Sequence, residues 1–294
     1  MSASVTLHAE DFCTVTGKTD PDSLAFVEAD WEIRALERGA EFRTATVRMF
    51  NSVQNISVIK YPAKKFRTAM LHRPGDQAGT TSRLAEDAGA VFAINAGFFN
   101  TKKLIPTVYF RIGKEVYGRS DPNGGYKLDG VVGIRNRRNS RLVYVKCDTL
   151  QYAAMTRKCH AVMESGPMLM LDDKVIVPQI VDENTYTHYG ETQHRSYLKL
   201  HKKRHPRTVI GSDKDGYVYF VVIDGRAPGK ADGASIWETA RICELLGMTD
   251  AMNMDGGGSS ALWEHSYGVL NHPCDNKKFD HDGERTVPNI IIAY

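Results

Sequence analysis

The sequence predicts an α+β fold: one hairpin-rich domain with a mixed β-sheet core and a few flanking helices. Three observations carry that expectation. Short β-branched and aromatic runs recur along the chain, each bounded by turn residues. One strong helical pattern stands out, at Ser235–Gly247. No repeat, low-complexity tract or composition break follows Trp31, so residues 31–294 read as a single domain. Residues 1–30, mixed and polar with a turn signal at Asp20-Pro21-Asp22, read as an N-terminal extension of uncertain order.

The elements follow in order. Phe42–Phe50 and Ile56–Tyr61 read as strands, Thr81–Ala88 as a short capped helix, and Val91–Ile94 as a buried strand. Hairpins come next. Val108–Ile112 turns at Gly113-Lys114 into Glu115–Tyr117, and Val131–Ile134 pairs with Leu142–Val145. Met168–Leu171 turns at Asp172-Asp173 into Val175–Val177, and Thr208–Ile210 turns through Asp213–Gly216 into Tyr217–Ile223. In Ser235-Ile236-Trp237-Glu238 the spacing is that of a capping box, with Gly247 closing the helix. Ala251–Met254 and Val287–Tyr294 complete the strands.

Composition excludes several classes. With 294 residues, 42% hydrophobic and 25% charged, the chain has the make-up of a soluble globular protein. The net charge of +3 is too small to argue for nucleic acid. No apolar stretch is long enough to span a membrane. The start, MSASVTLHAEDF, lacks a basic and an apolar signal region. It therefore reads as cytoplasmic as given, or as secreted or periplasmic if a leader has been removed. The five cysteines (Cys13, Cys147, Cys159, Cys243, Cys274) are scattered, which argues against a disulfide framework or a CxxC zinc site.

The chemistry concentrates in five segments. In Met252-Asn253-Met254-Asp255-Gly256-Gly257-Gly258-Ser259-Ser260 an apolar strand delivers a carboxylate onto three glycines and two hydroxyls. Glycine there signals positive φ or close approach, and free N–H groups in such a turn can form an anion nest. The plain alternative is a loop joining two strands; the P-loop and G-x-S-x-G patterns are both absent. Asn95, in Ala93–Asn100, puts an amide at a strand end, where it could orient a sugar hydroxyl; Phe98 and Phe99 taken singly read as core. Glu164, before Ser165-Gly166-Pro167, is a candidate acid, base or nucleophile, or else a turn-flanking surface residue. Arg207 and Arg226 stand beside apolar strands, where a planar guanidinium suits phosphate; Asp224 ends the most apolar strand.

Weaker signals have plainer readings. Glu238 is explained by the capping box. Asp213–Gly216 resembles a calcium loop but lacks its closing Glu, so it reads as a hairpin turn. His201 and His205 are four apart without a carboxylate companion. The basic run His194, Arg195, Lys199, His201, Lys202, Lys203, Arg204 and His205, with Arg135, Arg137, Arg138 and Arg141, reads as solvated loop, with a nucleic acid or other polyanion as the less favoured partner.

The ordered set AINAGFF, ESGPML, RTVIG, VVIDGR and MNMDGGGSSAL, closed by RTVPNIII, closely resembles the phosphodiester glycosidase family. The resemblance covers about Trp31 to Tyr294, with its motifs from Val91 onward. It implies a glycosidase-type hydrolase that cleaves the anomeric C–O bond of a sugar-1-phosphodiester, such as an N-acetylglucosamine-1-phosphodiester. By position it implies a pocket of Asn95, Glu164, Arg207, Asp224, Arg226, Asp255, Gly256, Gly257, Gly258, Ser259 and Ser260. Two departures stand out: the basic run at 194–205, and the lack of the secretory signal and cysteine-rich appendages of animal members.

On this reading Arg207 and Arg226 hold the phosphate with the N–H groups of Gly256–Gly258, Asp255 or Glu164 attacks C1 or activates water, and Asp224 orients sugar or water. The partner is a small-molecule or glycan sugar-phosphate, and no cofactor is required. Two other readings stand beside it. One is metal-dependent P–O cleavage with Asp224, Asp255 and Glu164 around a divalent cation; the other is a non-catalytic sugar-phosphate binding module.

Overall fold

The computed structural model describes residues 20–121, 127, 129–135, 141–146, 158–177, 198, 200–201 and 203–294. Its centre is an eight-stranded sheet: β1 (Glu32–Ala35), β2 (Glu41–Met49), β3 (Ser52–Pro62), β16 (Tyr217–Ile223), β15 (Arg207–Ser212), β17 (Asp250–Asn253), β13 (Met168–Leu171) and β14 (Lys174–Val175), in that spatial order. A five-stranded sheet has the order β11 (Leu142–Lys146), β10 (Gly130–Ile134), β12 (Ala161–Ser165), β8 (Phe110–Ile112) and β9 (Glu115–Gly118). Another has the order β19 (Gly268–Val269), β18 (Leu262–Glu264), β5 (Phe92–Asn95), β20 (Asn289–Ala293) and β4 (Thr68–His72). A short pair, β6 (Phe99–Asn100) and β7 (Ile105–Pro106), completes the set. The fold class is α+β, and every described pairing is antiparallel.

The middle strands of the central sheet are buried on both faces, which is why β16 reads as a near-continuous apolar run rather than an alternating one. Side chains still alternate between faces. Ile210, Phe220 and Val222 join Tyr61, Phe92, Ile94, Met163, Leu262 and Ile291 in one core, where the other two sheets pack. Val209, Val221 and Ile223 join Ile236, Ala240 and Cys243 in a second core on the opposite face. Each fully buried aromatic such as Phe220 contributes about 2–3 kcal/mol relative to exposure.

Helices α1 (Pro21–Val27), α2 (Thr81–Asp87) and α3 (Ile236–Leu245) flank the sheets. Both capping-box bonds form in α3, with Ser235 N to Glu238 Oε2 at 2.7 Å and Glu238 N to Ser235 Oγ at 3.2 Å. α1 shortens the expected extension. Asp20 caps it, and Phe26, fully buried, packs edge-to-face on Trp31 at 5.0 Å in the second core. Residues 20–30 are thus part of the packed domain; the turn signal at Asp20-Pro21-Asp22 is an N-cap followed by a first-turn proline.

Candidate functional site

Antiparallel pairing gathers the candidates at one end of the central sheet. Arg207 opens β15 opposite Ile223, which closes β16, so Arg207 and Asp224 share that end. Val209 pairs with Asn253, which brings the exit of β17, and with it Asp255, to the same end. Asn95, at the end of β5 in the neighbouring sheet, joins the group by hydrogen bonds.

Asn95 is an anchor. Its Nδ2 donates to the Asp255 carbonyl at 2.6 Å, and its Oδ1 accepts from Thr208 Oγ1 at 2.9 Å and from Ala261 N at 3.1 Å. Thr208 Oγ1 also lies 3.1 Å from Ser260 Oγ. The amide therefore ties both mouths of the glycine turn to the sheets; it is buried, and both its oxygen and its nitrogen are engaged inside the protein.

The glycine turn needs glycine for two separate reasons. Gly257 has φ +64°, and a Cβ there would sit 2.8 Å from Arg226 Nη2. A Cβ on Gly258 would collide with the Arg285 guanidinium and Asp275 Oδ1. The anion nest expected from the turn is only partly available, because Gly257 N donates to Pro206 O at 2.9 Å. Ser259 and Ser260 are buried beneath the turn.

A cavity of about 180 Å³ opens on this turn, lined by Asp255, Gly256, Gly257, Arg226, His205 and Phe98 among others. A larger cavity, about 740 Å³, lies at the opposite end of the sheet by Asp213–Tyr217 and holds none of the candidate residues. Burial pushes the Asp255 carboxyl up to about 6; the nearby Ser259 hydroxyl, Lys127, Arg285 and Arg226 pull it the other way without overcoming burial. Ser259 Oγ is near enough to act electrostatically but makes no well-formed hydrogen bond.

Arg226 is exposed and has φ +63°, a left-handed backbone unusual outside glycine. That strained geometry lays its guanidinium against Gly257, with Nη1 3.7 Å from Cys274 Sγ. Arg207 has a different use. Its Nε donates to Ala234 O at 2.7 Å and its Nη2 to Leu200 O and Lys203 O, each at 3.1 Å. It borders the cavity but staples three backbone carbonyls, so of the two arginines expected to hold phosphate, Arg226 is the one whose head is presented to the turn.

The other two carboxylates stand outside this cavity. Asp224 Oδ1 accepts from Asn271 Nδ2 at 2.8 Å; its Oδ2 accepts from His272 N at 2.9 Å and faces His272 Nδ1 at 3.0 Å. Glu164 is buried in β12, its Oε2 accepting from Tyr109 N at 3.0 Å and Ser120 Oγ at 2.6 Å. Its Oε1 has no partner among the described residues, and burial raises its pKa against those two hydrogen bonds. The next residue, Ser165, turns the other way and donates to Asn253 O at 2.9 Å, so Glu164 faces away from β17. Among the described residues no group of three or more His, Cys, Asp or Glu side chains is arranged to hold a metal ion. Asp224, Glu164 and Asp255 are not brought together as one such group.

The weaker signals resolve into structure. Asp213 Oδ1 accepts from Asp215 N at 3.0 Å and Tyr217 N at 2.9 Å, as in a hairpin turn. In the basic run, Arg204 Nη2 pairs with Glu238 Oε1 at 2.6 Å, and His201 is buried, so neither belongs to a free basic face. His194, Arg195, Lys199, Lys202, Arg137 and Arg138 lie outside the described residues.

Sequence reasoning missed Arg285. Its Nε reaches Asp275 Oδ1 at 3.1 Å across Gly258, and its charge bears on Asp255. The signal was present, since Arg285 opens the closing motif RTVPNIII. It also missed the partners of Asp224, Asn271 and His272, which only the fold brings to β16.

No helix among the described residues is long and apolar enough to cross a membrane. The bovine N-acetylglucosamine-1-phosphodiester alpha-N-acetylglucosaminidase is 24% identical over 232 residues, 73% of this chain and 39% of the bovine protein. The mouse enzyme of the same name is 28% identical over 102 residues, 34% of this chain and 18% of the mouse protein. The chain thus spans well under half the length of these relatives. Among solved structures, a hypothetical protein from Synechocystis aligns with TM-score 0.60 at 15% identity, over 90% of this chain and 63% of that one. The catalytic domain of zebrafish N-acetylglucosamine-1-phosphodiester alpha-N-acetylglucosaminidase, auto-inhibited by its pro-peptide, aligns with TM-score 0.58 at 16% identity, over 89% and 80%. At these identities the two structures establish a shared fold. The phosphodiester glycosidase family model matches residues 88–294, which include every segment that builds the site, and the chain belongs to that family.

Proposed function

We propose that this protein hydrolyses the anomeric C–O bond of a sugar-1-phosphodiester, with Asp255 as the carboxylate that attacks C1 or activates the water. The observation that carries this reading is the Asp255 carboxyl in a small cavity that Arg226 also lines, raised by burial to about 6 with the positive charges of Arg226 and Arg285 bearing on it. An anomeric phosphate leaves readily, so the demand on the protein is to neutralise the phosphate and stabilise positive charge at C1. A cavity-facing guanidinium beside a carboxylate meets both needs.

Other residues take supporting roles. Arg226 holds the phosphate, with the free edge of the glycine turn, while Arg285, paired with Asp275, adds positive charge near Asp255. Asp224, tied to Asn271 and His272, positions the 271–285 segment that carries Arg285. Glu164 is a positioning residue for the Tyr109–Ser120 wall. At about 180 Å³ the cavity is small against the roughly 300–1,000 Å³ of typical ligand pockets, which suits enclosure of the reacting group alone.

The test is product formation from N-acetylglucosamine-1-phosphate methyl diester and other α-sugar-1-phosphodiesters, with and without EDTA. Release of free sugar at equal rates in both supports the reading. Turnover that EDTA abolishes favours metal-dependent P–O cleavage, and binding without turnover on any of them favours a binding module.

A further inference from the structure

His205 lies in the basic run that the family resemblance left unexplained, yet it lines the same cavity as Asp255, Arg226 and Gly257. Its backbone is clamped, with His205 N to Ala234 O at 3.2 Å and Ala234 N to His205 O at 3.1 Å. Its imidazole has no hydrogen-bond partner among the described residues, while its neighbours Arg204 and Arg207 are bound into the protein. A half-buried ring fixed at its root, with both nitrogens uncommitted, is placed to take a partner from the cavity.

We propose that His205 is a substrate-contacting residue that donates a hydrogen bond to the phosphate group and takes up a proton when that group binds. The proposal rests on the reading of this cavity as a phosphodiester site and deepens it.

The charges around the ring set the direction. Lys203 and Arg204 lie on its own segment, Arg204 being paired with Glu238 of α3. Arg207 projects from β15, Arg226 from the turn after β16, and Asp255 lies in the glycine turn across the cavity. Burial first, then Arg207, Arg226 and Lys203, hold the imidazole below its ordinary value, so in the unliganded site it is neutral near pH 7. A bound phosphate anion offsets those cations and gives the imidazolium an acceptor. Its pKa must then rise, and binding draws one proton from solvent. By linkage, the added affinity is fully present below the free-state pKa and is lost as pH rises through the bound-state pKa.

The test uses inorganic sulfate, which does not itself titrate in this range, at constant ionic strength. Asp255→Asn removes the carboxyl that titrates near pH 6. The His205 ring resonances, assigned by comparison with His205→Gln, are followed by NMR against pH with and without sulfate. The expected result is sulfate binding seen at the Gly256 and Gly257 amides, with the His205 pKa raised by about one unit. Sulfate then binds several-fold more tightly at pH 5.5 than at pH 8 in Asp255→Asn, about tenfold being the low-pH limit, and equally at both in Asp255→Asn/His205→Gln. Sulfate bound at those amides with an unmoved His205 pKa overturns the His205 proposal and leaves the phosphate site standing. No sulfate at those amides overturns both.

Discussion

Asn95 Nδ2 donates to the backbone carbonyl of Asp255 at 2.6 Å, so the amide at the end of one sheet sets the position of the carboxylate at the end of another. Because Asn95 Oδ1 also receives Thr208 and Ala261, a single buried side chain locks the relation between β5, β15 and the glycine turn. Asn95→Ala removes all three hydrogen bonds and leaves a buried N–H and a buried carbonyl unpaired. The expected cost is about 3 kcal/mol of stability, read by urea denaturation, with a loss of turnover beyond what unfolding explains.

Asp255→Asn is expected to abolish turnover while leaving the fold intact. Its stability should change in the opposite sense. Asp255 has a folded-state pKa near 6, raised above its unfolded value, so its contribution is most favourable below about pH 4 and is lost as pH rises towards 6. At pH 7 the Asn variant is expected to be about 1–2 kcal/mol more stable than the parent. The difference should vanish near pH 4, as measured by denaturant titration at both values.

The pH profile of activity follows from the same group. In His205→Gln, which removes the second titrating group, kcat/KM rises about tenfold per unit below pH 6 and levels off above it if ionised Asp255 acts. A profile flat from pH 4.5 to 7.5 contradicts that role.

The two arginines separate by what they touch. Arg207→Met strips three backbone carbonyls of their charged donor and is expected to cost about 3 kcal/mol in denaturation. Arg226→Met, at an exposed side chain, is expected to leave stability within about 0.5 kcal/mol. It should instead raise KM at least about tenfold, the loss of one charge-assisted contact to phosphate. Equal stability losses in the two variants would contradict the division.

Gly257→Ala forces φ +64° on a residue with a Cβ and drives that Cβ towards Arg226 Nη2. A stability loss of about 1–2 kcal/mol and a raised KM are expected together, because the same atom strains the turn and displaces the phosphate ligand.

The hairpins and α3 were legible because turn chemistry and capping are local: Asp213–Gly216 and Ser235–Glu238 each carry their own instruction. The glycine turn was legible as a candidate because an apolar strand delivers Asp255 directly onto three glycines, two of which the fold requires for want of space or for positive φ. The division of labour was not. Arg207 and Arg226 look alike beside their strands; only the tertiary fold decides that one meets carbonyls and the other a cavity. Asp224 likewise finds Asn271 and His272, over forty residues away in sequence, through the packing of the 271–285 segment. Glu164 announces a carboxylate at a strand end, but the face it occupies depends on pairing register, which sequence leaves open.

The most direct test of the central claim is hydrolysis of an α-sugar-1-phosphodiester in ¹⁸O-water, with the label located by mass spectrometry. Attack at C1 through Asp255 places ¹⁸O on the released sugar. Label on the released phosphate means that the P–O bond broke, and contradicts the account.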